Sequence, residues 1–333
     1  MTGSGMTTAT TSAIVPGGLS LRLRMFASLM RREFLEHKTA FFTTPVVLGA
    51  LMFGIIALTL VTLEVRFGEI MVHVDDAEFF VEDGIISIDG HEVGNELAHL
   101  VATAPSMLLL LILPFIIIFP MLGSLYEERR DRSYLFWKSM PVSDTEEVLA
   151  KLGFSAFVGP LLVFAFMAAL GFATTLLATP FMWLHGLPAW DLLWSHFAFV
   201  SVWVGFAANY LVWALWAFPL FAWILLASAY APKAPLMFAV LPPVVIGIIE
   251  LIVLRSSHFF ATIGQQLGGK FGMFIGHRIE LRVDIRGGGG DHPTLADAAV
   301  GVGQALTSGS FWIGAAIGVA FIAGAIWLRR YNV

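Results

Sequence analysis

The sequence predicts an all-α polytopic membrane protein that crosses the bilayer six times. Two observations support this fold class. First, 58% of the 333 residues are hydrophobic and only 13% are charged, whereas a soluble domain carries about 25% charged residues. Second, the mean hydropathy of +0.82 corresponds to more apolar surface than one globular core can bury, so lipid must cover part of it. Together they exclude a water-soluble enzyme.

Six apolar stretches are long enough to span a membrane, because a helix needs about 20 apolar residues to cross about 30 Å of hydrocarbon. No stretch has the short alternating pattern of a barrel strand, so helices are the expected spanning form. Pro219 in the fourth stretch predicts a kink or a break near its inner end. The predicted spans are approximately Phe41–Leu63, Val101–Leu122, Leu152–Ala178, Phe197–Ala229, Leu236–Leu254 and Phe311–Leu328.

Lysine and arginine residues are distributed unevenly between the two sides of these spans. Thirteen lie on the side of the N-terminus and six on the other side. Because positively charged segments stay in the cytoplasm, both termini are predicted to be cytoplasmic. Residues 1–19, rich in Thr, Ser and Gly, are predicted to be a disordered tail. The external loops are then residues 64–100, 179–196 and 255–310.

The external loops carry few chemical signals. The first has ten acidic residues and one arginine, and its alternating runs Met71–Val74 and Ile85–Ile88 are candidates for a small hairpin. Its histidines and aspartates follow no metal-ligand spacing, so no metal site is predicted. The last loop is long enough for re-entrant or surface helices. Its segment Gly264–Lys270 has P-loop spacing, but Phe271 stands where magnesium binding needs Ser or Thr, so no nucleotide site is predicted.

Two further features limit the chemistry and the packing. The chain contains no cysteine, which excludes disulfides, thiolate metal sites and a cysteine nucleophile. No catalytic nucleophile–base arrangement stands out elsewhere. In the sixth span, Gly314 and Gly318 form a pair of small residues four apart, which favours close helix packing either within the chain or between two chains.

Residues 20–40, before the first span, are predicted to form an amphipathic helix. Arg24, Arg31 and Lys38 recur every seven residues and therefore make a narrow basic stripe. Apolar residues cover the wider opposite arc. Such a helix lies in the membrane interface with its cations toward the headgroups, and by composition alone it can also be a simple membrane anchor.

The segment between spans two and three, Leu125–Lys151, combines a mixed-charge run with three bulky apolar residues. The charged run is expected to continue the second span as a helix, and Pro141 then ends it. Ser143 or Asp144 can cap a new helix. Exposed aromatic side chains such as Trp137 suit docking to another protein. The alternative is a solvated loop with a charged face.

Three features of this segment resemble the ABC-2 family of ABC transporter permeases. They are Glu128-Arg129, then Pro141-Val142-Ser143, then Lys151 ten residues after that proline. The amphipathic helix at residues 20–40 resembles the family's elbow helix, and the six-span plan of residues 20–333 resembles its transmembrane domain. Arg132-Ser133 departs from the Gly-Thr that the family often has there.

The resemblance implies a type V-like exporter architecture with a cytoplasmic coupling helix that meets a separate ATP-binding subunit. It implies a permease homodimer with two ATPase subunits in a prokaryotic inner membrane. ATP and magnesium would then bind only to the partner, and the chain itself would be no enzyme and hold no cofactor. The residues implied at the ATPase interface are Glu128, Arg129, Trp137, Lys138, Pro141, Ser143 and Lys151. The alternative is a membrane-embedded enzyme or an assembly factor without an ATPase partner.

Glu250 is the only carboxylate within the predicted spans. An acid in hydrocarbon costs roughly 2.5–3.5 kcal/mol on insertion scales, so it normally faces protein or water. One interpretation places Glu250 on a translocation path together with Asn209 of the fourth span. The other has it near the interface, paired with Arg255 or reaching water.

Overall fold

Helices make up most of the regular structure in the computed structural model, which describes residues 18–67, 79–82, 85–88, 91–92, 98, 101–135, 142–184, 189–194, 199–264 and 294–331. The α-helices are α1 (Gly18–Glu36), α2 (Thr44–Phe67), α3 (Met107–Arg130), α4 (Asp144–Gly153), α5 (Gly159–Leu184), α6 (Ala189–Leu193), α7 (Phe199–Trp216), α8 (Phe218–Tyr230), α9 (Pro235–Ile249), α10 (His258–Gly264), α11 (Leu295–Thr307) and α12 (Gly309–Tyr331). Short π-helical segments, Thr39–Thr43, Phe154–Val158 and Glu250–Leu254, join α2, α5 and α9 to their neighbours.

Six helical segments of the described residues are long and apolar enough to cross a bilayer, in agreement with the predicted number of spans. They are Thr39–Thr62, Val101–Arg130, Asp144–Leu184, Phe199–Trp216, Pro235–Leu254 and Gly309–Tyr331. Their number and order along the chain match the six predicted stretches. The chain is therefore a multi-pass helical membrane protein.

The helix that contains the third span starts at Asp144, eight residues before the span boundary predicted at Leu152. It begins at a capping box, in which the Ser143 Oγ accepts from the Glu146 N–H (3.2 Å) and a Glu146 carboxylate oxygen accepts from the Ser143 N–H (3.0 Å). The continuous helix has 41 residues and is about 60 Å long at 1.5 Å per residue. That is about twice the hydrocarbon thickness, so its polar first turns, α4, extend beyond the apolar layer.

The fourth predicted stretch is broken, as Pro219 predicts. It divides into α7 and α8 at Ala217, whose N–H donates to the Trp213 carbonyl (2.8 Å) and whose carbonyl accepts from the Phe221 N–H (3.1 Å). Proline has no N–H, so the carbonyl of Leu215 receives no helical hydrogen bond from residue 219, which favours a break there.

The loop before the sixth span contains a helix, α11, that packs against α7. Its N-terminus is fixed by a capping box of Thr294 and Asp297, and Gly301 approaches Val212 so closely that a Cβ would lie 2.8 Å from a methyl carbon. In α12, a Cβ on Gly318 would lie 2.5 Å from the Phe218 ring of α8. The small residue at position 318 therefore serves packing within the chain.

Burial separates central helices from peripheral ones. Half of the most apolar window of Val101–Arg130 and of Phe199–Trp216 is buried, against 11% for Thr39–Thr62 and for Pro235–Leu254. The core lies among α3, α5, α7 and α8, with Leu113, Met121, Met167, Tyr210 and Phe221 nearly or fully buried. The first and fifth spans therefore leave most of their apolar surface for lipid or for another chain.

A small antiparallel sheet lies in the predicted first external loop, so the fold is not wholly α-helical. Strand β1 (Phe79–Glu82) pairs with β2 (Ile85–Ile88), and β2 pairs with β3 (His91–Glu92). Ile85–Ile88 is thus a strand, as predicted. In the structure it pairs with β1, whereas the sequence predicted a hairpin with Met71–Val74. The other predicted strand, Met71–Val74, lies outside the described residues.

Helix α1 packs on the protein through part of its apolar arc. Leu29 is buried, while Met30 and Phe34 pack against the core. The Phe34 ring lies 6.4 Å from that of Phe154 in an edge-on contact. The protein itself therefore covers this part of the arc, and the exposed basic stripe lies on the other side of the helix.

The predicted orientation can be tested by labelling, because the chain has no cysteine of its own. Single cysteines at Glu82 and Gly288 are expected to react with a membrane-impermeant maleimide added outside intact cells, because both lie in predicted external loops. A cysteine at Lys138 is expected to react only after the membrane is opened. Labelling of Lys138→Cys in intact cells would contradict the orientation.

Candidate functional site

A cluster of ionised side chains joins four helices at one end of the bundle. We call this group the ion cluster. It comprises Arg32 and Glu33 of α1, Glu128 of α3, Asp144, Glu147 and Lys151 of α4, and Arg329 of α12. Its members are far apart in sequence but meet in the structure. The ion cluster therefore connects the C-terminal ends of α1, α3 and α12 with α4.

Glu128 is the centre of the ion cluster. One of its carboxylate oxygens accepts from the Arg32 Nη2 (2.5 Å) and lies 2.9 Å from the Lys151 Nζ. The other oxygen accepts from the Arg329 Nη1 (2.7 Å). The side chain is 3% exposed. One buried carboxylate is therefore shared by three cations that come from three different helices.

Glu147 of α4 is a second carboxylate that binds two of the same cations. It accepts from the Arg32 Nη1 (2.9 Å) and from the Arg329 Nη2. Each arginine thus bridges Glu128 and Glu147 with two nitrogens of one planar guanidinium, a geometry that lysine cannot reproduce. Arg329 also lies 3.3 Å from Asp144 through its Nε.

Lys151 is fully buried and holds α1 against α3. Its Nζ donates to Glu33 (3.0 Å) and lies 2.9 Å from Glu128. Glu147 and Lys151 are four residues apart on α4, so the helix presents both to the same side. Removing ions from water costs several kcal/mol each, which close opposite charges and hydrogen bonds must offset. The arrangement is therefore sensitive to the loss of any single partner.

Arg129, next to Glu128, makes a separate connection. Its Nη2 donates to the carbonyls of Ser228 (3.0 Å) and Ala231 (2.7 Å), at the C-terminal end of α8. The Ser228 hydroxyl in turn donates to the Leu122 carbonyl (2.6 Å) and accepts from the Leu125 N–H (3.1 Å). The broken fourth span is thereby fixed to the same end of α3 as the ion cluster.

A small cavity lies beside the ion cluster. The cavity there has a volume of about 20 Å³, which is enough for one water molecule. It is lined by Leu125, Glu128, Arg129, Tyr134, Ala229 and Arg329. Among the described residues, the ion cluster is therefore best understood as a contact that joins helix ends.

The structure distributes the predicted interface residues among three places. Glu128 and Lys151 meet in the ion cluster, Arg129 lies beside it, and Ser143 caps α4. Residues 136–141, which include Trp137, Lys138 and Pro141, lie outside the described residues. Arg24 and Arg31 of α1 and Lys38, which follows α1, are exposed, and within the described part of the chain none of these three cations makes an ion pair.

Five members of the ion cluster were not predicted as site residues. They are Arg32, Glu33, Asp144, Glu147 and Arg329. One sequence signal was available for α1: Leu29, Glu33 and His37 follow a four-residue spacing that places them on one face, opposite the basic stripe. An acid on the apolar face of an amphipathic helix indicates a buried partner.

The two predicted path residues have separate structural contacts. The Asn209 side-chain amide donates to the carbonyls of Gly205 (2.9 Å) and Thr294 (2.8 Å), and so fixes the start of α11. The Glu250 carboxylate accepts from the Ser256 hydroxyl (2.7 Å) and from two backbone N–H groups at the start of α10. Among the described ion pairs none joins Glu250 to Arg255. A shared role on a path remains a prediction from the sequence.

Six apolar helices and a buried ionic joint define a multi-pass membrane protein whose helix ends are coupled at one face. Comparison with protein-family models, with curated proteins and with solved structures found no match.

Proposed function

We propose that the chain is the permease subunit of an ATP-driven ABC transporter of the ABC-2 type, acting as an exporter. A second copy of the chain and two separate ATP-binding subunits complete the transporter. The proposal rests on the sequence resemblance and on one structural observation, the ion cluster. In this assignment the cluster lies at the cytoplasmic face, α1 is the elbow helix, and residues 125–151 contain the coupling segment.

The ion cluster supports the proposal because it links the coupling segment to the spans on both sides of it. Glu128 lies just before the segment's central part, and Glu147 and Lys151 lie just after it. Arg329 and Arg32 bind both of these flanks to the sixth span and to α1. A force applied to residues 131–143 therefore reaches the ends of three spans and α1 through direct ionic contacts.

The mechanism that we propose is alternating access. ATP binding closes the two ATPase subunits, and their movement pushes on the coupling segment. Arg129 carries the same displacement to the C-terminal end of α8. The exposed apolar faces of the first and fifth spans provide surface for the second permease chain and for lipid.

The proposal is tested by the docking of an ATPase. The chain is purified from its native membrane, and Mg-ATP hydrolysis by the co-purified material is measured. Replacement of Trp137 by alanine removes a candidate anchor, for which a loss of about 2 kcal/mol, or roughly 30-fold in Kd, is typical of an interface hot spot. We expect weaker co-purification of the ATPase and less hydrolysis, because the aromatic contact is lost.

The matched control is Trp190→Ala. Trp190 is 64% exposed and lies in the predicted external segment, where no ATPase can reach it. This variant should retain both association and hydrolysis. Absence of any co-purified ATPase, or unchanged association and hydrolysis in both Trp137→Ala and Pro141→Gly, would contradict the proposal.

A further inference from the structure

One member of the ion cluster, Glu33, also faces a titratable side chain outside the cluster, His37, at the joint between α1 and the first span. Glu33 and His37 are four residues apart and are 1% and 9% exposed. The Glu33 Oε2 and the His37 Nε2 are buried and have no hydrogen-bond partner among the described residues. The two atoms are 3.7 Å apart, which is beyond hydrogen-bonding distance.

A separation of this size between the Glu33 Oε2 and the His37 Nε2 is expected when both atoms are hydrogen-bond acceptors. An ionised carboxylate only accepts, and a neutral imidazole nitrogen without a proton also only accepts. Two facing acceptors repel each other and stand apart. One proton placed between them converts the contact into a donor–acceptor pair, which prefers a separation of about 2.7–3.2 Å.

The surroundings shift the pKa values of the two groups in opposite directions. Burial raises the pKa of the Glu33 carboxyl, against the opposing effect of Lys151. Burial also lowers the pKa of the His37 imidazole, and the nearby Lys151 lowers it further. His37 is therefore neutral at neutral pH and takes up a proton only at a more acidic pH than an ordinary histidine.

The other charged groups around His37 come from its own helix and from two neighbours. Arg32 and Glu36 lie on α1, Lys151 on α4, and Glu127 on α3. The π-helical segment Phe154–Val158, which also packs there, contributes no titratable side chain. The ion cluster has four carboxylates and three cations, and Glu36 also pairs with Arg32, so a proton on the Glu33–His37 pair lowers the excess negative charge there.

His37 is placed where a small displacement changes the path of the chain. It lies in the bend that follows α1, and its carbonyl accepts from the N–H groups of Ala40 (3.0 Å) and Phe41 (3.1 Å). Phe41 is buried, and its ring packs edge-on against that of Phe154 at 5.3 Å. A shift of the His37 side chain is thereby passed to the start of the first span.

We propose that Glu33 and His37 form a proton-binding switch that sets the angle between α1 and the first span. One proton from solvent binds between the Glu33 Oε2 and the His37 Nε2, draws them together and shifts the bend at His37. The switch is a property of this chain alone and does not depend on the transporter assignment.

The test uses a nitroxide spin label on Lys38→Cys in the full chain in lipid nanodiscs. Lys38 is exposed and adjacent to His37. Lowering the pH from about 8 to about 4, a range that extends below the one in which ordinary histidines titrate, is expected to change the mobility of the label. The change should be lost in the His37→Asn and Glu33→Gln backgrounds. In each variant an amide replaces one of the two groups that share the proton.

A label on Lys233→Cys serves as the control, since Lys233 is exposed on a turn outside this joint, and its mobility should stay constant. His37→Gln provides a second background if the asparagine variant does not fold. An unchanged spectrum at Lys38 in the parent protein overturns the proposal. So does a pH response that persists when His37 is replaced. The measurement needs no ATPase, so its failure is separate from a failure of the proposed function.

Discussion

Replacing Glu128 with glutamine is expected to lower the free energy of unfolding by about 3–5 kcal/mol, the range for loss of one partner from a buried ion pair. Glutamine keeps the shape of the side chain but removes its charge. It also turns an NH2 donor toward cations that have only donors to offer. Arg32, Lys151 and Arg329 would each lose a carboxylate contact of 2.5–2.9 Å.

The measurement is thermal and denaturant unfolding of the purified protein in a mild detergent. Glu127→Gln is the matched control, because Glu127 precedes Glu128 on the same helix and is exposed. Exposed positions usually change stability by less than about 0.5 kcal/mol. Equal stability of the two variants would show that the ion cluster does not hold the helices together.

Replacing Lys151 with methionine is expected to have an effect of similar size, about 3–5 kcal/mol. Methionine fills nearly the same volume, so the loss comes from the charge. Glu33 and Glu128 would lose the ammonium group at 3.0 and 2.9 Å while remaining buried. Unfolding of the variant is compared with that of Lys233→Met, a substitution of an exposed lysine that should be nearly neutral.

The double variant Glu128→Gln, Lys151→Met separates a network effect from two local ones. Residues in direct contact show coupling of about 0.5–3 kcal/mol, so the double variant should lose less stability than the two single losses added together. Additive losses would mean that the two side chains act independently, in contradiction to the shared contact described here.

The sequence predicted the spans well because hydropathy reads a local property, the length of an apolar run. The helix of the third span begins at Asp144, eight residues before the predicted span boundary, and its cap is Ser143, one of the two caps that the sequence predicts. Hydropathy marks where apolar residues begin, whereas a helix begins where its first N–H groups find an acceptor. Pro219 predicted the break between α7 and α8 for a purely covalent reason, the missing N–H.

The ion cluster could be predicted only in part, because it depends on contacts between distant residues. Arg32 is 96 residues from Glu128, and Arg329 is 201 residues from it. A charge beside an apolar span satisfies the positive-inside rule whether it faces water or protein. Arg329 therefore gave no signal of its own, and Glu128 was predicted only through the family resemblance.

The two faces of α1 also differ in how salt acts on them. Exposed charges more than about 8 Å apart are largely screened at physiological ionic strength, whereas buried pairs are screened much less. The contacts of Arg32 inside the protein should therefore keep their strength in concentrated salt. The attraction of Arg24 and Arg31 of α1, and of the nearby Lys38, to anionic headgroups should weaken in concentrated salt. One short helix thus joins a salt-resistant attachment to the protein with a salt-sensitive attachment to the membrane surface.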